Sequence, residues 1–266
     1  MESIDKLINL GGRRALITGA LGGLGRIFAC TLAQMGADLI LVDRPKSDFS
    51  DLLSELSQWP VEAIPMHCDI EVESDRRFLI DVLGESHDQL SILVNNAAFV
   101  GTSALEGWSV PFEQQSIEAW RRALEVNLTA VFDFCQGLAP LLRKAPGANI
   151  VNIASLYGML GPDWRLYEGT SMSNPAAYAA AKGGLIQLTR WLSTTLAPEI
   201  RVNCISPGGI WRNQAEIFVE RYAARTPLGR MANEKDFIGP LAFLCSDQGA
   251  YVTGQNIVVD GGWSAW

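Results

Sequence analysis

The chain has 266 residues, 48% of them hydrophobic and 19% charged, a balance that suits a soluble globular protein and excludes disorder as its main state. Its formal net charge of -8 disfavours nucleic acid or an anionic membrane surface as the principal partner. No apolar run approaches the length of a membrane span, and Met1-Glu-Ser-Ile-Asp-Lys6 has no apolar signal core, so a cytoplasmic location is expected. Cys30, Cys68, Cys135, Cys204 and Cys245 are odd in number and set in apolar contexts, which reads as buried reduced thiols. With only His67 and His87 and no Cys/His cluster at ligand spacing, no metal site is expected.

Short β-rich runs punctuate the chain at residues 15–18, 38–42, 61–64, 91–94, 149–153, 200–205 and 256–259. Several are continuously apolar, as expected where both faces of a parallel sheet are covered. Segments with helical periodicity lie near residues 24–35, 74–83, 117–143, 176–196 and 234–245. The alternation predicts an α/β fold, a doubly wound parallel sheet of about seven strands joined by right-handed crossovers. No repeat or Pro/Ser-rich linker divides it, so one domain is expected, with a glycine-rich half (13–100) and a second half (101–266).

The first strand runs into Thr18-Gly-Ala-Leu-Gly-Gly-Leu-Gly25 and then a helix. Glycines there permit a tight turn and let a pyrophosphate approach the helix N-terminus, although a plain strand-to-helix turn would also use one or two of them. Eighteen residues after Gly25, the second strand ends at Asp43, whose carboxylate can accept from both adenosine ribose hydroxyls and repel a 2′-phosphate. Arg44 beside it can instead grip that phosphate; with no Lys or Arg inside the glycine turn, NAD is expected over NADP. Asp69, before Ile70, can meet an adenine amino group or cap the next helix. Asn95 and Asn96 can order the turn after the fourth strand. Asn127 sits inside a helical segment, where its amide competes with the backbone and calls for a reason. Ser155 follows the fifth strand, on the side of an open α/β sheet where ligands bind.

In Asn174-Pro-Ala-Ala-Tyr-Ala-Ala-Ala-Lys-Gly-Gly184, Asn174 suits an N-cap and Pro175 a first helical position. Tyr178 and Lys182 then lie one turn apart on one face. An ammonium there favours the phenolate, lowers the Tyr178 pKa and makes proton exchange with a substrate hydroxyl feasible. Alone, Tyr-x-x-x-Lys is weak; the preceding motifs give it weight.

Taken together these residues resemble the classical short-chain dehydrogenase/reductase family from about Arg13 to the C-terminus. The glycine signature is matched by Thr18, Gly19, Gly23 and Gly25, and the Asn-Asn-Ala-Gly signature by Asn95, Asn96 and Ala97, with Ala98 departing from its final Gly. The resemblance implies a single-domain Rossmann fold and a catalytic tetrad of Asn127, Ser155, Tyr178 and Lys182. It implies dinucleotide contacts from Thr18, Gly19, Gly23, Leu24, Gly25, Asp43, Arg44, Asp69, Ile70, Asn96, Ala97, Tyr178, Lys182, Pro207, Gly208 and Ile210. A Thr common in the family after Pro207-Gly208 is replaced by Arg212. The implied activity is NAD(H)-dependent interconversion of a secondary alcohol and a ketone, in a homodimer or homotetramer. Ile257-Val-Val259, Trp263 and Trp266 are compatible with a subunit contact.

Ser155 and Tyr178 are twenty-three residues apart, so the loop over 158–170 is enlarged and expected to bulge over the site. A weaker resemblance, to a subgroup linked to bacterial surface-sugar and flagellin modification, rests on this loop, Ser-Pro-Gly-Gly-Ile210 and the Gly-Gly-Trp-Ser tail. Arg165, Tyr167, Trp211 and Arg212 are the candidate substrate residues, fitted to an anionic, sugar-like small molecule; packing between the two loops is the competing explanation. The rival functions are a sugar-nucleotide epimerase or dehydratase that keeps its NAD bound, and a non-catalytic dinucleotide sensor.

Overall fold

The computed structural model describes residues 3–100, 103 and 105–266. In chain order the elements are α1 (Ile4–Ile8), β1 (Arg14–Thr18), α2 (Gly23–Gln34), β2 (Asp38–Asp43), α3 (Ser50–Leu56), β3 (Ala63–His67), α4 (Glu73–Ser86) and β4 (Ile92–Asn95). They continue with α5 (Ile117–Leu124), α6 (Ala130–Leu142), β5 (Ala148–Ile153), α7 (Ala176–Thr195), β6 (Ile200–Pro207), α8 (Glu216–Arg225), α9 (Ile238–Cys245) and β7 (Asn256–Val259). All seven strands are parallel, in the order β3-β2-β1-β4-β5-β6-β7. The chain starts at the sheet's middle, winds outward to β3, then returns to β4 and winds the other way. The β1/β4 boundary is therefore the point where the carboxyl ends of the strands diverge and leave a crevice.

The apolar runs are explained by double coverage. Leu16 and Leu93 pack in one core layer with α4, α6 and α7, while their neighbours Ile17 and Val94 pack in the other with α2, α3 and α9. Successive side chains point to opposite faces, and both faces are buried, so no alternation survives in the sequence. The five cysteines are all buried and none forms a disulfide. Among the described residues no helix is long and apolar enough to cross a membrane.

Several expected boundaries move. The third strand runs from Ala63 to His67, beyond residues 61–64, because it pairs on one side only and an edge strand tolerates Pro65. The helix expected over 117–143 is interrupted by a π turn at Glu125–Thr129, where the Ala130 N–H reaches back to the Glu125 carbonyl. α3 and α8 were not anticipated: each buries only an i, i+4 pair, Leu52 with Leu56 and Phe218 with Tyr222, too little for a period to show. α7 begins at Ala176, not Pro175, and Asn174 does not cap it; the Ala176 N–H donates instead to Gln115 Oε1 at 3.0 Å. Trp263 is 2% exposed and packs inside its own chain, so it offers nothing to a subunit contact, whereas Trp266 is exposed.

Gly25 is held to glycine by the turn itself, since a Cβ there would lie 2.0 Å from the Gly19 carbonyl oxygen and 2.8 Å from Ala20 Cα. Gly25→Ala is expected to destabilise the fold by about 3 kcal/mol through this backbone clash. Chemical denaturation checks it, and an unchanged midpoint contradicts it.

Candidate active site

Twenty residues of α7 carry Tyr178 and Lys182 past the carboxyl end of β5. Lys182 is 3% exposed, and its Nζ donates to the Ile153 carbonyl, the last of β5, at 2.6 Å. It also lies 5.8 Å from the centre of the Tyr178 ring. Loss of solvent holds its pKa down at about 8, against an ordinary 10.5. Burial pushes the Tyr178 phenol above its ordinary value, and the Ser155 side chain beside it pulls the other way. Lys182 thus stands one helical turn from Tyr178 with its ammonium donated to a backbone carbonyl. Ser155 itself is 6% exposed, and its Oγ accepts from the Tyr157 N–H at 3.2 Å.

α7 is fixed in this register by buried polar contacts. Asn95 Nδ2 donates to Asn152 Oδ1 and Asn152 Nδ2 to Thr189 Oγ1, both at 2.9 Å, and Thr189 Oγ1 donates to the Leu185 carbonyl at 2.8 Å. Gly158 lies so close to the helix that a Cβ would sit 2.7 Å from the Lys182 carbonyl carbon and oxygen. Asn127 is fully buried within the π turn, and its amide is spent on one backbone unit: Oδ1 accepts from the Phe99 N–H at 2.7 Å and Nδ2 donates to the Phe99 carbonyl at 3.0 Å. A π turn places such a residue where a regular helix would not.

At the other end of the crevice, Thr18 Oγ1 accepts from the N–H groups of Asn96 and Ala97 at 3.0 and 3.1 Å, and Asn96 Nδ2 donates to the Thr18 and Gly19 carbonyls, each at 3.0 Å. These bonds stitch the glycine turn to the end of β4. Gly19 has φ +65°, and a Cβ would meet Ala97 Cα at 2.9 Å. The Leu21 N–H donates to Asp43 Oδ2 at 2.9 Å and the Arg44 N–H to Oδ1 at 2.8 Å, so the carboxylate stands against the turn with acceptor capacity left. Asp69 Oδ1 accepts from the Glu71 N–H at 3.1 Å; Val72, not Asp69, is the cap of α4. Leu24 is half-buried on α2 and Ile70 gives its carbonyl to Arg76 at 2.6 Å. Beyond β6, the Gly208 N–H donates to the Val259 carbonyl at 2.9 Å and Ile210 bridges Ala232, which carries the chain after Pro207 back toward α2.

A dinucleotide fits these residues. Gly22 at the N-cap has no side chain to offer the first turn of α2, Gly22 and Gly23 are exposed, and the Asp43 carboxylate beside the turn keeps acceptor capacity. Among the described residues, no group of three or more His, Cys, Asp or Glu is placed to hold a metal ion.

The enlarged loop comes close to the site through Tyr167, whose phenol bears on that of Tyr178. It folds as two 3₁₀ turns, Leu156–Gly158 and Trp164–Leu166, and packs with α8 in a small aromatic core of Tyr167, Phe218, Tyr222 and Trp263. Tyr167 is 9% exposed and its hydroxyl meets that of Tyr157 at 2.7 Å, both near the Asn174 side chain that leaves the α7 cap uncovered. Arg165 is exposed and forks onto Asp163 at 2.8 and 2.7 Å; Trp211 is exposed; Arg212 pairs with Glu234. Both candidate arginines thus already hold a carboxylate.

A family model described as enoyl-(acyl carrier protein) reductase matches residues 19–264. The chain is 31% identical over 250 residues to post-translational flagellin modification protein A of Campylobacter coli, covering 93% of this chain and 96% of that one. The chain belongs to the short-chain dehydrogenase/reductase family. Of a longer relative, an uncharacterized short-chain type dehydrogenase/reductase from Sinorhizobium fredii that is 33% identical over 260 residues, it spans 44%. A short-chain dehydrogenase from Leptospira borgpetersenii with bound NAD+ superimposes with a TM-score of 0.84 at 30% identity, covering 99% and 96% of the two chains. A gluconate 5-dehydrogenase from Burkholderia cenocepacia in complex with NADP and tartrate gives 0.87 at 27% identity, covering 99% and 100%. The resemblance to flagellin-modification proteins noted from the sequence thus has a counterpart among the relatives.

Sequence reasoning about this short-chain dehydrogenase/reductase missed the Ile153 carbonyl, Asn152, Thr189, Gln115 and Glu234. A backbone carbonyl leaves no mark in a sequence, but Asn152 inside an apolar strand and Thr189 inside an apolar helix were visible irregularities. The buried ammonium makes a stability prediction. Below about pH 8 the folded chain bears the full cost of keeping Lys182 charged. Between about 8 and 10.5 it sheds that proton while the unfolded chain keeps it, so stability rises with pH there. Lys182→Met is expected to be more stable than the parent by about 1–2 kcal/mol at pH 7, with the difference shrinking toward pH 10. Denaturant titrations at both pH values check this; a less stable variant at pH 7 contradicts it.

Proposed function

We propose that this chain is an NAD(H)-dependent oxidoreductase that interconverts a secondary alcohol and a ketone on a polyhydroxylated, sugar-like small molecule. The observation that carries the reaction is the meeting of Ser155, Tyr178 and Lys182 at the carboxyl end of β5. A bound nicotinamide dinucleotide would supply hydride exchange with the substrate carbon. The chain's residues handle the proton. Tyr178, kept protonated by burial, donates its phenolic proton to a ketone oxygen, and Ser155 donates a hydrogen bond to that same oxygen as charge builds on it. In the oxidative direction the phenolate takes the hydroxyl proton. Lys182 holds the nicotinamide ribose, and its positive charge stabilises the Tyr178 phenolate that forms when the proton is given up. Asn127 holds the Phe99 backbone, and with it the segment after β4, in place beside the tetrad.

NAD over NADP is proposed from Asp43, whose carboxylate the Leu21 and Arg44 amides hold against the glycine turn, where it repels a 2′-phosphate. A sugar-like substrate is supported by the gluconate 5-dehydrogenase neighbour and by the Tyr167 hydroxyl, which bears on Tyr178 and pairs with that of Tyr157. Assembly as a homodimer or homotetramer is supported by large apolar side chains left on the surface, including Phe132, Trp191 and Trp266.

Tyr178→Phe is expected to lower kcat by about 10³-fold while changing NAD affinity less than about threefold, because only the proton-carrying oxygen is removed. Steady-state rates with a polyol panel and calorimetric NAD binding test it. Retention of most of the parent kcat sinks the assignment. Asp43→Ser should weaken NAD and strengthen NADP, with Arg44 then free to meet the phosphate; a parent enzyme that already prefers NADP overturns the ranking.

A further inference from the structure

Arg212 is a candidate substrate residue in the sequence. It lies over the glycine turn: a Cβ on Gly23 would be 2.6 Å from Arg212 Nη2 and 2.9 Å from Glu234 Oε1. Gly23 is the first residue of α2, whose first turn has no acidic side chain of its own. A cation and the carboxylate it binds therefore meet at the helix end where the dinucleotide's phosphates are expected. Two separate segments deliver them. Arg212 is set by the turn after β6, in which its N–H donates to Gln214 Oε1 at 2.6 Å and Asn213 adopts φ +57°. Glu234 opens the 3₁₀ turn Glu234–Phe237, which is fixed by a reciprocal cap between Asn233 and Asp236.

We propose that Arg212 and Glu234 form a latch over the cofactor's pyrophosphate, in which Glu234 stands in for the phosphates until they replace it on the Arg212 guanidinium. The proposal rests on the dinucleotide reading above and goes beyond it by giving both residues a role in holding and exchanging the cofactor. The magnitudes favour exchange. The two side chains are 39% and 33% exposed, and an ion pair so open to solvent is weak. A pyrophosphate brings two charges and several acceptors to the same guanidinium fork and to the same helix end, which a single carboxylate cannot match. Substituting the anion also leaves Arg212 paired at every stage. Arg212 then serves the cofactor, and charge on the substrate is read elsewhere or not at all.

The test uses the full chain and three probes: ADP-ribose and NAD+, which carry the pyrophosphate, and adenosine, which does not. Calorimetric titration is expected to show Arg212→Gln raising Kd for ADP-ribose and NAD+ by about tenfold or more, with adenosine unchanged within about twofold. Arg212→Lys should lose less than Arg212→Gln. Glu234→Gln removes the competing anion, so it should tighten ADP-ribose and NAD+ by about two- to fivefold. Three results would overturn the latch: ADP-ribose affinity unchanged in Arg212→Gln, equal losses of adenosine and ADP-ribose in that variant, or weaker ADP-ribose binding in Glu234→Gln. A parent protein that binds none of the probes sinks the dinucleotide reading and the latch together, a result distinct from normal parent binding that Arg212→Gln leaves untouched.

Discussion

Lys182 carries its ammonium into the protein and finds there one hydrogen-bond acceptor, the Ile153 carbonyl, with the Tyr178 ring alongside. It is 3% exposed, and among the described residues no carboxylate pairs with it. Much of the surrounding architecture holds that unfavourable arrangement together. β5 must end at Ile153 for its carbonyl to be presented; α7 must pass close enough for a lysine to reach it. The Asn95–Asn152–Thr189 contacts set the helix against β4 and β5, and Gly158 lets the chain after β5 press onto the Lys182 backbone. Buried ionisable groups with displaced proton affinities gather at sites that do chemistry.

The crevice has a different economy at its two ends. Around Tyr178 the polar groups are few, buried and shifted from their ordinary proton affinities. Around the glycine turn they are more numerous and satisfied by backbone: buried Thr18 and half-buried Asn96 tie β1 to β4, and half-buried Asp43 takes two amides. The first end suits proton transfer, which needs displaced pKa values; the second suits reversible binding of a charged ligand, which needs shape and exposed donors. The aromatic core of Tyr167, Phe218, Tyr222 and Trp263 joins the enlarged loop to α8 and so walls the catalytic end without contributing charge.

What the sequence disclosed follows from what each feature depends on. The sheet was legible because two-sided burial leaves unbroken apolar runs, as in β2 and β4. Tyr178 and Lys182 were legible as a pair because helical spacing alone puts them on one face. Their electrostatics were not, because the partner of Lys182 is a backbone carbonyl from a strand twenty-nine residues away. Asn174 looked like a cap, yet its side chain goes to Tyr157 and Tyr167 and a distant Gln115 meets the helix amide. Arg165 and Arg212 looked available for an anion, yet Asp163 and Glu234 hold them. The π turn at Asn127 depends on a register change that no local pattern encodes. In each case the local signal was sound and a long-range contact decided its use.

The displaced proton affinity of Lys182 is directly measurable. Protein labelled with ¹³C at lysine Cε gives one resonance per lysine, and the one missing from Lys182→Met identifies the site. Titration of that resonance should show a midpoint near 8, set by burial against the Ile153 carbonyl. A midpoint at or above the ordinary 10.5 would mean that the ammonium is solvated or paired with an anion, and would contradict the buried, singly bonded lysine on which the proton chemistry of Tyr178 has been built.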